Sequence, residues 1–141
     1  MNERAGAVIV KDNQILLFRR VKEGWGEYWV FPGGGVETGE TPEQAMVREV
    51  AEELSLQVTE YKPLFEVFND FTMNEKYPPR QEYFYLVTGF TGEVKLGGEE
   101  AERMSDADQY YPTWVPLTQI KEMVNLRPEA AREKVIELLT I

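Results

Sequence analysis

The most constraining feature of this sequence is a helix start at Thr41, because side-chain chemistry alone announces it. A helix leaves its first amide groups without intrahelical acceptors. The Thr41 hydroxyl can accept from one of them, and Pro42 takes the first helical position, where a missing N–H costs nothing. Gln44 completes a Thr-x-x-Gln capping box. Beyond it, Met46, Val47, Val50, Ala51 and Leu54 recur at helical spacing as one apolar stripe, with Glu49, Glu52 and Glu53 on a roughly opposite face. The pattern predicts a helix lying on a core with its acids outward.

The remaining segments must supply that core. Ala5 to Val10 and Ile15 to Phe18 are strand-like runs around an Asp12-Asn13 turn signal, and together they read as a hairpin. Lys22 to Glu27 reads as a loop, and Tyr28 to Phe31 as a short strand stopped by Pro32-Gly33-Gly34-Gly35. Leu64 to Phe71 and Tyr83 to Phe90 read as paired strands, joined by a loop over Asn74 to Arg80 that contains Pro78-Pro79. Gly92 to Asp108 is polar, Trp114-Val115 is a short strand, and Leu117 to Val124 is a short helix. A last helix from about Pro128 carries Ala131, Val135, Leu138 and Leu139 on one face. Intermixed strands and helices imply an α/β fold, a mixed sheet covered by helices. With 141 residues and no repeat or linker, residues 1–141 are expected to form one domain that buries roughly two-thirds of its unfolded surface.

The chain has no cysteine and no histidine, which removes disulfides, thiolate nucleophiles, imidazole ligands and every histidine-based acid, base or triad. Its 25 acidic residues leave carboxylates as the natural reactive groups, and oxygen ligands suit Mg²⁺, Mn²⁺ or Ca²⁺ better than Zn²⁺. A net charge of −10 disfavours nucleic acid and anionic membranes as partners. The N-terminus does not resemble a signal peptide and no apolar run could span a bilayer, so a cytoplasmic setting is expected.

On the helix, Glu49, Glu52 and Glu53 stand at i, i+3 and i+4, so their carboxylates are expected to converge. Such a face is by itself usually only solvated. Three like charges repel, but bound divalent ions would turn the repulsion into a binding site. Arg19, Arg20 and Lys22 are nearby candidates for contacts with substrate phosphates. Trp25, Trp29, Phe68, Phe71, Tyr77 and Tyr110 could stack on a nucleobase or belong to the core.

The spacing within residues 34–56, GGVETGETPEQAMVREVAEELSL, favours the metal site over the solvated face. It resembles the box of the Nudix (MutT-like) hydrolases, Gly-x5-Glu-x7-Arg-Glu-U-x-Glu-Glu-x-Gly-U with U a bulky aliphatic residue. Gly34, Glu40, Arg48, Glu49, Val50, Glu52, Glu53 and Leu56 all match, as does the Phe31-Pro32-Gly33-Gly34-Gly35 approach. Ser55 stands where the family has glycine. A serine in a left-handed helix cap is strained, so Ser55→Gly is expected to raise the melting temperature and leave turnover alone.

The resemblance implies an α/β/α sandwich with a mixed curved sheet between helices. It also implies an Mg²⁺-dependent pyrophosphohydrolase, with Mn²⁺ as a substitute ion. The substrate would be a nucleoside diphosphate linked to another moiety, such as a dNTP, an NTP or ADP-ribose. The ligands it implies are Glu49, Glu52 and Glu53 together with Gly34, and Gly34 and Glu40 are structural positions of the motif. It credits Glu49 as base or water-orienting group, and gives Arg48 the task of holding a glutamate, with Glu52 in helical reach. A further acid comes from downstream, where Glu100 is favoured over Glu99 and Glu102. Homodimers are common in the family.

Two other functions compete. A nucleotide-sensing module without catalysis would ordinarily show a degraded box, whereas every acid is intact in this chain. Isopentenyl diphosphate isomerase relies on a cysteine that is absent. Subfamily markers do not select a substrate: Phe71 and Thr72 stand where ADP-ribose hydrolases have proline, and Tyr77 lies late for the dinucleoside polyphosphate hydrolases.

Overall fold

A computed structural model of the chain describes residues 2–69 and 79–140, without the side chains of Glu99, Glu100 and Arg103. The elements in order are β1 (Asn2–Lys11), β2 (Gln14–Lys22), β3 (Gly26–Val30), β4 (Gly33–Gly35), α1 (Pro42–Leu54), β5 (Gln57–Asn69), β6 (Arg80–Thr91), α2 (Gly98–Arg103), β7 (Asp108–Pro116), a 3₁₀ turn (Leu117–Glu122), β8 (Leu126–Arg127) and α3 (Glu129–Leu139). None of the described helices is long and apolar enough to cross a membrane.

The strands pair in the order β5-β6-β1-β2-β3-β8, with β4 added to β1 and β7 to β2. β1 with β6 and β3 with β8 are parallel, and the other pairs are antiparallel, so the sheet is mixed. Asp12 and Asn13 both take positive φ, 52° and 62°, as a tight hairpin turn requires. β1 and β2 pair only beside that turn, at Val10↔Ile15 and Lys11↔Gln14, and then separate, one toward β6 and β4, the other toward β3 and β7.

Strand alternation divides the interior into two cores. Ala5, Ala7 and Ile9 of β1 join Leu16 and Phe18 of β2 beneath Ala45, Met46, Val50 and Leu54 of α1. Val8, Ile15 and Leu17 point the other way, toward Phe31, Phe84, Ile120 of the 3₁₀ turn, Leu126, and Ala131 and Val135 of α3. Full burial of a side chain such as Met46 or Leu54 contributes about 1.5–3 kcal/mol. The result is the expected α/β/α sandwich around a curved mixed sheet.

The capping box at α1 is complete: Thr41 Oγ1 accepts from Gln44 N at 3.2 Å, and Gln44 Oε1 accepts from Thr41 N at 2.9 Å. Several other expectations need correction. Gly33–Gly35 is a strand on β1, because backbone alone suffices for pairing; the register runs Arg4↔Gly35, Ala5↔Gly34, Gly6↔Gly33. The loop over Lys22 to Glu27 shrinks to a turn, since Lys22 and Gly26 already pair. The short strand at Trp114 extends over nine residues because β2 offers partners from Gln14 to Lys22. On α3, Leu138 is exposed while Ile136 and Leu139 pack with Val135. On α1, Ala51 is exposed and Glu53 is buried. The partner of β6 begins at Gln57, well before Leu64. Phe71, Tyr77 and the greater part of the Asn74 to Arg80 connection lie outside the described residues.

Candidate active site

α1 lies against β4, and the three box acids are not equivalent there. Glu53 is 4% exposed, whereas the side chains of Glu49 and Glu52 are 17% and 54% exposed. The expectation that all three face solvent is therefore corrected. Glu53 follows Val50 by three positions and precedes Leu54, which puts it on the shoulder of the buried stripe. A carboxylate can stay there because a donor meets it: Gly33 N–H donates to Glu53 Oε1 at 2.9 Å.

Glycine is required along this strand for two separate reasons. Gly33 has φ +151°, and a Cβ on it would overlap the Ala5 carbonyl oxygen. A Cβ on Gly34 would overlap the carboxylate of Glu49, so the bare backbone of Gly34 is what lets that carboxylate sit against β4. Gly35 has open space around it.

Arg48 joins the helix to the loop before it. Its Nε donates to Glu40 Oε2 at 2.8 Å and its Nη2 to Glu40 Oε1 at 3.0 Å, a two-point contact. Nη2 also donates to the Gly35 carbonyl at 3.0 Å, and Nη1 donates to Glu49 Oε1 at 2.8 Å and to Glu52 Oε2 at 3.3 Å. The family resemblance gives Arg48 the task of holding a glutamate, with Glu52 in helical reach; Arg48 does donate to Glu52, and the structure adds Glu40 as its firmest partner. Glu40 in turn accepts from Glu37 N at 3.0 Å. The Arg48 guanidinium, helped by the Glu37 amide, holds the Glu40 carboxyl down at about 2. The same contacts, Glu40 first, push the Arg48 pKa further above its ordinary value.

Burial pushes the Glu49 carboxyl up, Arg48 draws it back, Glu52 pushes it up again and Arg4 draws it down. Burial is the largest of these influences, and the carboxyl lies above its ordinary value on balance. The expectation that the three carboxylates converge is corrected too: among the described residues no three acidic side chains come close enough together to hold an ion, Glu53 being turned in to Gly33. The Arg48 guanidinium contacts Glu49 and Glu52 and offsets part of their charge.

The basic residues singled out earlier are engaged along β2. Arg19 pairs with Glu27 at 3.1 Å and lies 4.9 Å from the Tyr111 ring. Arg20 pairs with Asp108 at 2.7 Å and lies 3.7 Å over Tyr110, and Lys22 lies 4.9 Å over Trp25. None of the three hydrogen-bonds to Glu49 or Glu52 among the described residues. Tyr110 is buried in the first core and Trp29 packs against the second, while Trp25 and Phe68 are exposed.

The downstream segment is tied to the end of α1. Lys95 N donates to the Leu54 carbonyl at 3.0 Å and Gly97 N to the Glu53 carbonyl at 2.9 Å. These two bonds take helix-terminal acceptors that otherwise need a cap. α2 therefore starts beside Glu52: a Cβ on Gly97 would stand 2.6 Å from the Glu52 carbonyl oxygen, and Gly98 takes φ +63°. Glu100 belongs to α2, but its side chain lies outside the described set. Ser55 adopts the left-handed cap, φ 62° and ψ 27°, and its Oγ donates to the Lys95 carbonyl at 3.0 Å.

Sequence reasoning missed Arg4, whose Nη2 donates to the Phe31 carbonyl at 3.2 Å, and Glu82, a buried acid paired with it. A signal was available for Glu82, because it shares the inward alternation of Phe84 and Leu86, and a charge at a core position needs a partner.

A family model described as the NUDIX domain matches residues 1–139. An 8-oxo-dGTP diphosphatase of Proteus vulgaris is 39% identical over 93 residues, 64% of this chain and 78% of the relative. An ADP-ribose pyrophosphatase of Methanocaldococcus jannaschii is 35% identical over 98 residues, 67% of this chain and 55% of that protein. The crystal structure of a MutT NUDIX hydrolase from Burkholderia pseudomallei superposes with a TM-score of 0.73 over 97% of each chain, at 24% identity, a level that speaks for the fold. Since the family match begins in β1 and runs to the end of α3, taking in the box and its surroundings together, this chain belongs to the Nudix family and is a Nudix hydrolase.

Proposed function

We propose that the enzyme cleaves the diphosphate linkage of a nucleoside diphosphate joined to another moiety, by attack of water at phosphorus. The observation that carries this reading is the seating of Glu49 against Gly34, with Arg48 holding Glu49, Glu52, Glu40 and the Gly35 carbonyl at once. The relatives named as a diphosphatase of 8-oxo-dGTP and a pyrophosphatase of ADP-ribose mark dNTPs and nucleotide sugars as the substrate classes to test first.

The donor set fits a hard divalent ion. Every group available is a carboxylate or a backbone carbonyl, and the missing Cβ of Gly34 is what lets the Glu49 carboxylate sit beside that backbone. Glu49, Glu52 and Glu53, with the backbone of Gly34, would hold Mg²⁺, or Mn²⁺ in its place. When bound, the ion neutralises charge on the phosphoryl oxygens and lowers the pKa of a coordinated water. Glu53, fixed by the Gly33 amide, would contribute a ligand that the backbone holds in place. Glu49 is the acid we assign to take or direct the proton of the attacking water, since its carboxylate is seated against Gly34 with one oxygen fixed by Arg48. Arg48 orients Glu49 and Glu52, and Glu100 is the downstream acid that the family resemblance suggests for the site. Arg19, Arg20 and Lys22 would have to leave Glu27, Asp108 and Trp25 to reach a phosphate, so they are not carried into the proposal.

The test is phosphate release from a panel of nucleotides with Mg²⁺, coupled to a pyrophosphatase and a phosphatase, for wild type and Glu52→Gln. Wild type is expected to turn over at least one dNTP or nucleotide sugar, with Glu52→Gln slower by about 10²-fold. Nucleotide binding without turnover in wild type would replace this reading with a nucleotide-sensing module.

A further inference from the structure

One buried carboxylate outside the helix motif has no part in the chemistry above. Glu82 is 1% exposed and faces the second core beside Phe84. An ionised carboxylate in such a place is costly unless donors surround it. Asn69 Nδ2 donates to Glu82 Oε2 at 2.8 Å, Arg4 Nε stands 3.5 Å from Oε1, and Arg80 Nε stands 3.5 Å from Oε2.

Arg4 does more than balance charge. Its backbone is in register with Gly35, while its Nη2 donates to the Phe31 carbonyl at 3.2 Å. The Arg4 side chain thus holds the Phe31 end of the segment, while the backbone of its neighbours holds the rest, Ala7 N donating to the Pro32 carbonyl at 2.9 Å and the Glu3 carbonyl accepting from Val36 N at 3.0 Å. Arg48 holds the same segment from the helix side, through the Gly35 carbonyl. Between the two arginines, the Gly33 amide holds Glu53. The parallel extends to their partners: Glu40 fixes Arg48 by a two-point contact, and Glu82 pairs with Arg4.

We propose that Glu82 and Arg4 are a second positioning pair for the acid platform: Glu82 orients Arg4, and Arg4 fixes the Phe31 end of the strand whose Gly33 amide sets Glu53. This rests on the reading of Glu53 as a ligand of the divalent ion. Neither residue touches the reacting atoms. Their effect would pass through the backbone, from the Phe31 carbonyl across Pro32 to the peptide that carries the Gly33 donor, a peptide whose Pro32 carbonyl also accepts from Ala7 N at 2.9 Å. Groups that orient a ligand in this way commonly govern metal affinity about 10- to 100-fold.

The test uses the 141-residue chain without substrate. Glu82→Gln keeps the shape of the side chain and removes the charge that pairs with Arg4. Amide hydrogen exchange by NMR, without metal, is expected to quicken at Gly33 by about tenfold relative to Val8 and Leu17 in the core. Titration with Mn²⁺ alone is expected to show affinity weakened by about tenfold. Gly33 exchange that moves only in step with Val8 and Leu17 would overturn the proposal, as would unchanged Mn²⁺ affinity. If Glu82→Gln does not fold, Arg4→Lys keeps the charge and loses the reach to Phe31; the same selective change at Gly33 is expected, and its absence overturns the proposal. Neither readout depends on turnover, so an inactive wild-type protein would remove the hydrolase reading and leave these measurements to judge the pair.

Discussion

Arg48 and Glu40 are joined at two points across the loop that leads into α1, Nε to Oε2 at 2.8 Å and Nη2 to Oε1 at 3.0 Å. The pair fastens the helix to the chain before it and leaves Nη1 for the acids of the site. A planar guanidinium can do this and an ammonium cannot. Arg48→Lys is therefore expected to lower kcat about 10- to 100-fold while the protein remains folded, as steady-state kinetics and circular dichroism would show.

The same contact predicts a pH dependence. Folded Glu40 titrates at about 2, against an ordinary value of 4.5. A carboxyl whose pKa is depressed by folding stabilises the folded state fully above 4.5 and loses that contribution as the pH falls toward about 2. Thermal melts of wild type and Glu40→Gln should differ most near neutrality and converge through this acidic window. A constant difference from neutral pH down to pH 2 would contradict the assignment.

Gly34 and Gly35 are adjacent glycines with opposite tolerance. Gly34→Ala puts a methyl group into the Glu49 carboxylate, while Gly35→Ala meets open space. Displacement of a catalytic group by about 1 Å can cost 10²-fold, so Gly34→Ala is expected to lose about that much turnover. Gly35→Ala should keep most of its activity in the same assay.

Ser55 revises an expectation drawn from sequence. Releasing a non-glycine residue from the left-handed region would stabilise by about 1–2 kcal/mol. Ser55→Gly also loses the hydrogen bond from Oγ to the Lys95 carbonyl, a contribution of about 0.5–1.5 kcal/mol. The melting temperature should therefore change little in Ser55→Gly. Ser55→Ala keeps the strain and loses the bond, and should melt measurably lower by differential scanning calorimetry.

What could be read from sequence was what local chemistry determines. The cap at Thr41 needs only Gln44, three residues away, and both halves of the box are formed. Helical spacing placed Glu49, Glu52 and Glu53 correctly along α1, but their exposures depend on β4, which is held by β1 and not by anything near the helix in sequence. Gly33 to Gly35 resembles a turn because glycine has no side chain to show an alternating pattern, and only the neighbouring strand makes it a strand. Arg19, Arg20 and Lys22 were chosen by proximity in sequence, yet their partners come from Glu27, Asp108 and Trp25. Arg4 and Glu82 meet only because β1 and β6 run parallel, a long-range pairing that periodicity does not reveal.

The bonds from Lys95 and Gly97 to the last carbonyls of α1 have a consequence for how the family motif can vary. A glycine after the helix ordinarily provides the turn that lets the chain depart. In this protein an outside strap completes the helix end, and the need for a residue without a side chain reappears at Gly97 and Gly98, which lie against the Glu52 carbonyl. The left-handed turn stays at Ser55, anchored by its Oγ to Lys95, so a side chain at position 97 that pushed this strap off the Glu52 carbonyl would take from that turn its support as well.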